Sequence, residues 1–401
     1  MKSVLEVLDS LGLDRSFAPD IETGWRESME TYPANGLFFM ERGFYREHLE
    51  MMEVEDNLLP MMDDVAIKVN RSCELSLLAW HAHHYLCHFD ALPSFSKWPG
   101  LAEIFDDNCG IFYLMIGLSA IPVFTQTYRN MGIPEEYAVA ATGWLKGTIG
   151  IYKSAHDGYP GHTKSQLYWV RHYIDGRLFR IGRFEFMEQG FPEHYRISVY
   201  KSRISGQVIA LAAAGVDCSA DGLVMYADQA PESAAFTTSF FQDNTCAIGN
   251  PVSPEGFILD CTAKLILSEW ECVLAPGDFA PGIHIPGGGK MSLESCGQSL
   301  TDAHEFYKKY FPQKTVKAFV CGSWIFNPDL ERVLPESNLV KFMRQIYLFP
   351  MLSTGRDGLF FIFGKDYGDI SQYPRDNSVR RAMLSIFDEG KRLREGGMFY
   401  L

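Results

Sequence analysis

No two cysteines in this chain have the CxxC spacing, although nine are present: Cys73, Cys87, Cys109, Cys218, Cys246, Cys261, Cys272, Cys296 and Cys321. An odd, scattered set argues against a zinc ribbon and a disulfide frame, and predicts free thiols in a reducing cytoplasm. Positive charge is scarce as well, with 36 Lys and Arg against 50 Asp and Glu and a formal charge of -14. A nucleic-acid backbone is therefore not an expected partner. The first stretch, MKSVLEVLDSLGLDRSF, has neither an unbroken apolar segment nor a small-residue cleavage site, so it reads as a short amphipathic helix and not as a secretory signal. Long hydrophobic runs are also wanting. The nearest approach to a membrane span is NCGIFYLMIGLSAIPVFTQTY, uncharged over about 20 residues. Asn108, Pro122, Gln126 and the threonines cut its apolar part to about 15 residues, which suits a buried core helix.

Several catalytic signatures are missing too. A phosphate-binding P-loop requires GxxxxGK followed by Ser or Thr. In HIPGGGKMS, Met291 follows Gly289 and Lys290, and His284 stands where the first glycine belongs. No GxSxG nucleophile elbow occurs. CGSW, at Cys321 to Trp324, has Ser323 where a papain-type nucleophile would stand, and no histidine lies downstream of it, the last being His304.

What remains is rich in apolar side chains, 47% hydrophobic and 14% aromatic, enough for large cores. Helical periodicity dominates the first part of the chain, including NRSCELSLLAWHAHHYLCHF and GIPEEYAVAATGWLKGTIGIYK, where Pro134 and two acids make a helix start. SAHDGYPGH reads as a boundary loop. Beyond it, GRLFRIGRFEFME, YRISVYKSRISGQVIALA and GFILDCTAKLIL read as strands and hairpins. From GIHI onward the order becomes strand, helix near 292–311, strand KAFVCGSW, helix NPDLERVLPESNLVKFMRQ, strands IYLFPML and LFFIFG, and a helix through NSVRRAMLSIFDEGKRLR. The fold expected is α+β: an all-helical N-terminal domain over 1–150, then a mixed α/β domain over 151–401.

Three segments could carry chemistry. In the first, Gly287, Gly288, Gly289, Lys290 and Ser292 join a strand to a helix, a setting in which backbone N–H groups converge on an anion beside the helix dipole. The plainer reading is a strand-to-helix turn with Ser292 as N-cap and Glu294 in the first turn. In the second, His81, His84 and His88 share a helical stripe with Glu74, and the His84/His88 spacing would suit a metal. No other segment supplies further ligands, so packing histidines are expected and no metal. The third, RISGQV at Arg203 to Val208, approximates the Q/RxxGxG/A loop of GNAT acyltransferases but ends in Val208, and is better read as a hairpin turn.

HIPGGGKMSLESCGQSL, FVCGSWIFNPDLERVLPESNLVKF and YPRDNSVRRAM, together with YWVRHYIDGRLFRIGRFEF and MGIPEEYAVAATGWLKG, resemble a bacterial acyltransferase family that pairs a helical N-terminal domain with a GNAT-like C-terminal domain. The resemblance spans most of the chain. It implies a cytoplasmic acyl-CoA-dependent N-acyltransferase that acts on an amine by direct attack on the thioester, with acyl-CoA as co-substrate. Gly287 to Gly289, Lys290, Ser292 and Asn338 would then bind the coenzyme. His284 is the candidate base, Ser323 a polar contact, and Tyr347 the candidate acid, two residues beyond Gln345, where the family's tyrosine falls. Trp324 is expected in the core, and Glu185, alternating with Phe184 and Phe186, could face a cleft, with solvent exposure on a strand the default. The alternative is a non-catalytic ligand- or partner-binding protein on a degenerate GNAT-like fold.

Overall fold

The computed structural model describes residues 2–364 and 367–401. They form two compact units, one of residues 2–180 with 286–288, the other of 181–285 with 289–364 and 367–401.

The first unit is helical. Helix α1 (Cys73–His88) starts at Ser72, whose hydroxyl caps the Leu75 N–H. Helix α2 (Cys109–Ser119) is the uncharged run, and every residue from Gly110 to Ser119 is buried. Two glycines let its backbone meet α3 (Gly143–Ala155): a Cβ on Gly110 would fall 2.4 Å from the Tyr152 ring, and one on Gly117 2.9 Å from Leu145. The histidine stripe resolves into separate roles. His81 is fully buried, with Nε2 donating to the Ile21 carbonyl and Nδ1 2.7 Å from the Ser28 hydroxyl, and it stacks on Trp98. The rings of His84 and His88 lie 5.3 Å apart. Among the described residues no group of three His, Cys, Asp or Glu is arranged to hold a metal ion.

A six-stranded sheet organises the rest: β1 (Leu178–Ile181), β2 (Phe184–Met187), β3 (Gly282–His284), β4 (Phe319–Ser323), β5 (Tyr347–Pro350) and β6 (Gly396–Tyr400), in the order β1-β2-β3-β4-β6-β5. Of the strands expected between 176 and 275, the first two join the main sheet and the others build three smaller sheets. One, of four strands, includes the hairpin Ile197–Ser202/Val208–Ala212 and confirms RISGQV as its turn. Its Ile197, Val199 and Ala210 share a core with Val320, Phe349 and Phe399 of the main sheet.

Helix α4 (Leu293–Tyr310) buries Cys296, Leu300, Ala303, Phe306 and Tyr307 at helical spacing. The Ser299 hydroxyl fixes it to the turn between β1 and β2, donating to the Ile181 carbonyl and accepting the Phe184 N–H. Gly182 in that turn has φ +59° and sits against Ser299, so a side chain there would be both strained and crowded.

Three expectations need correcting. LFFIFG is a helix, Leu359–Phe363, because a short apolar run has no period that separates strand from helix. The helix expected over 327–345 is two, Leu330–Val333 and Asn338–Met343, interrupted around Pro335. The last strand, β6, carries no strand signal in its first residues. It opens with two glycines that its neighbours require, since a Cβ on Gly396 would fall 2.2 Å from the Phe326 carbonyl oxygen and one on Gly397 2.0 Å from the Phe349 ring.

Candidate functional site

Among the pairings resolved in the main sheet, only β3 with β4 is parallel. These two strands meet at a single register pair, Gly282 with Val320. Beyond it, β3 stays bonded to β2 through Phe186 and Glu185, while β4 stays bonded to β6 through Met398 to Gly396. The two strands therefore part at their C-terminal ends, where open α/β sheets bind ligands.

Side chains of several kinds gather around this gap. His284 ends β3 half-buried, directly opposite Glu185 on β2. Cross-strand partners hold their Cβ atoms about 4.5–5.5 Å apart on one face, so carboxylate and imidazole are neighbours. Glu185 is 1% exposed, which corrects the expectation of a solvent-facing side chain. The four residues Phe184 to Met187 are all buried, because both faces of the sheet are covered and the polar-out alternation does not apply.

Across the gap stands a tyrosine the sequence did not flag. The Val320 N–H points from β4 toward β3 and donates to the Pro281 carbonyl at 3.1 Å. Alternate N–H groups of a strand point the same way, so the Gly322 N–H also faces the gap. Beside it stands the buried Tyr195 hydroxyl, 3.3 Å from where a Cβ on Gly322 would sit. Burial, then the neighbouring Cys321 and Glu395, push the Tyr195 pKa up, so the phenol is protonated. Glu395, just before β6, is itself pushed up by burial and by Asp357.

β3 runs on into the glycine loop and α4. Gly287, Gly288, Gly289 and Lys290 are exposed, and Gly288 has φ +84° with open space around it. Ser292 is the N-cap, its hydroxyl accepting from the Ser295 N–H at 3.1 Å, so the cap and the loop coexist. Arg183, from the β1/β2 turn, was also unread: a Cβ on Gly289 would lie 3.1 Å from its Nε. Its charge also reaches Cys296 in the first turn of α4 and opposes the rise that burial gives that thiol. Gly289, the Arg183 guanidinium and the N-terminus of α4 thus stand close together, a setting that favours negative charge.

Of the other expected residues, Tyr347 and Asn338 lie apart from this arrangement, and Ser323 ends β4 at its edge. The Tyr347 hydroxyl donates to the Val252 carbonyl at 2.5 Å and accepts the Ala210 N–H at 3.2 Å, and its ring stacks on Phe399. With both positions taken by backbone between two sheets, Tyr347 is a packing residue and not the expected acid. Asn338 is exposed at the start of Asn338–Met343, a helix that packs on α4. The Ser323 hydroxyl accepts from the Ile325 N–H at the end of β4, and Trp324 is half-buried, packed against Gly358.

Residues 178–399 match a family model described as the GNAT-like C-terminal domain. An acyltransferase solved in complex with decanoyl-CoA and teicoplanin superposes with a TM-score of 0.64 at 18% identity, over 98% of each chain. A mutant acyltransferase with octanoyl-CoA gives 0.65 at 18% identity over 99% of each chain, and an acyltransferase with CoA and 10C-teicoplanin gives 0.64. At this identity the likeness establishes the fold. No curated protein matches the sequence.

Proposed function

Because the chain belongs to the family of proteins with a GNAT-like C-terminal domain, we propose that it is an acyl-CoA-dependent acyltransferase and that its acceptor is an amine. One observation carries the reading: the single register pair between β3 and β4, whose parting ends lead straight into the glycine loop and α4. An extended amide-bearing chain such as pantetheine suits that gap, since the facing backbone groups can bond it as an added strand. Gly287 to Gly289, the N–H groups up to Ser292, Arg183 and Lys290 would receive the pyrophosphate. This fits the coenzyme carried by the structural neighbours.

Transfer requires a deprotonated amine and a proton for the departing sulfur. His284 takes the amine proton, and Glu185 orients the imidazole and stabilises its charged form. The amine nitrogen attacks the thioester carbonyl, the C–S bond breaks, and Tyr195, in place of Tyr347, supplies a proton to the thiolate. Ser323 is retained as a polar contact at the mouth of the gap, while Asn338 has no part in this scheme.

The test is thiol release from acetyl-CoA and decanoyl-CoA with a panel of amines that includes teicoplanin, the second ligand of one structural neighbour. Amine-dependent release, reduced about 100-fold or more in His284→Ala, is the expected result for loss of a general base. Coenzyme binding with no release for any amine would favour the non-catalytic binding protein.

A further inference from the structure

The sheet-rich unit contains a second concavity, a cleft of about 670 Å3 whose lining includes Tyr226, Arg392 and Arg394 but neither His284 nor the glycine loop. A cleft of this size falls within the roughly 300–1,000 Å3 of small-molecule sites. Its distinctive member is Arg394, only 9% exposed and two residues before β6. One guanidinium nitrogen, Nη1, donates to the Val224 carbonyl at 2.6 Å, and the group lies 3.9 Å from the centre of the Tyr226 ring. Arg392 rests on the same ring at 4.2 Å.

The difference between these arginines is their counter-charge. Arg392 pairs with Asp228 at 2.8 Å, Lys391 with Asp329 at 2.8 Å, and Arg332 with Glu389 at 2.6 Å. Among the described residues, Arg394 has no carboxylate within ion-pair distance. A cation so far removed from water, bonded to one carbonyl and a ring, keeps most of its five N–H donors for something else. Its planar fork matches a carboxylate. Among the described residues, two acids of the same lining, Asp221 and Glu255, have no ion-pair partner either. They disfavour a polyanion and favour a ligand that carries a positive group beyond its carboxylate.

We infer that this cleft binds a small amino-carboxylate, its carboxylate on the Arg394 guanidinium and its ammonium toward Asp221 and Glu255. The site is separate from the coenzyme cradle and does not depend on the acyl-transfer proposal.

Calorimetry on the full chain tests it with trialanine, trialanine amide, N-acetyltrialanine and inorganic phosphate. Trialanine is expected to bind, the amide about tenfold more weakly for want of the charged bond to Arg394, and the N-acetyl form more weakly than trialanine. Phosphate is expected to bind less tightly than trialanine. Arg394→Gln should erase the difference between acid and amide; if that variant fails to fold, the wild-type comparison decides alone. Equal affinity for acid and amide, no heat from millimolar trialanine, or preference for phosphate would overturn the inference. Trialanine binding should also persist in Gly288→Asp. Its loss there would place the ligand on the glycine loop and defeat the second site while leaving the coenzyme reading intact.

Discussion

At the scale of single residues, the proposed chemistry rests on His284 and the Glu185 opposite it. Glu185 is 1% exposed and stands in register with His284 across two paired strands. Glu185→Gln keeps the shape and removes the charge that favours the imidazolium. We expect kcat to fall about 10- to 100-fold and the acidic limb of the rate profile to move down in pH, since the His284 pKa drops without its carboxylate. A packing role alone would leave that limb in place. Tyr195→Phe should lower kcat while leaving the coenzyme Kd within about threefold, because the hydroxyl acts on the leaving sulfur and not on the pyrophosphate. That His284 and Ser323 end strands was legible, because the pattern reveals those strands. Tyr195 was not, since its place beside the gap depends on Gly322, far along the chain. Arg183 was hidden in the same way, facing a loop more than a hundred residues further along the chain.

At the scale of elements, α4 and its loop were read nearly as they stand, because an N-cap serine, a first-turn acid and apolar residues at helical spacing are local signals. The misread elements are those governed by non-local packing. Gly396 and Gly397 make β6 look like a turn, yet they are there because the Phe326 carbonyl and the Phe349 ring press on the strand. Removing the cap by Ser292→Ala should destabilise the unit by about 1 kcal/mol, measured by urea unfolding. An unchanged midpoint would mean that the Ser295 N–H finds water equally well and that the cap adds no stability.

At the scale of the whole molecule, the helical unit depends on neutral histidines. Burial holds His81 and His162 down to about 4 and His83 down to about 3. Below the ordinary value near 6.5 the unfolded chain binds more protons at these positions than the native one, so their stability is complete above about pH 6.5 and is lost as pH falls toward 4. Each ring accounts for about 2 kcal/mol by pH 5. The urea midpoint should therefore drop steeply between pH 7.5 and 5, and a flat profile over that range would contradict the buried, neutral assignment.

Coenzyme binding at the glycine loop is the claim on which the functional account depends, and calorimetric titration with acetyl-CoA and free CoA tests it most directly. Gly288 sits at φ +84°, so any replacement strains the backbone. Asp and Asn tolerate that region about equally, and comparing Gly288→Asp with Gly288→Asn isolates the charge. The account predicts micromolar binding by the wild-type protein, modest weakening in Asn, and a further loss of about tenfold or more in Asp, where a carboxylate faces the pyrophosphate. No heat with either coenzyme from folded wild-type protein, or equal affinities for Asp and Asn, would contradict it.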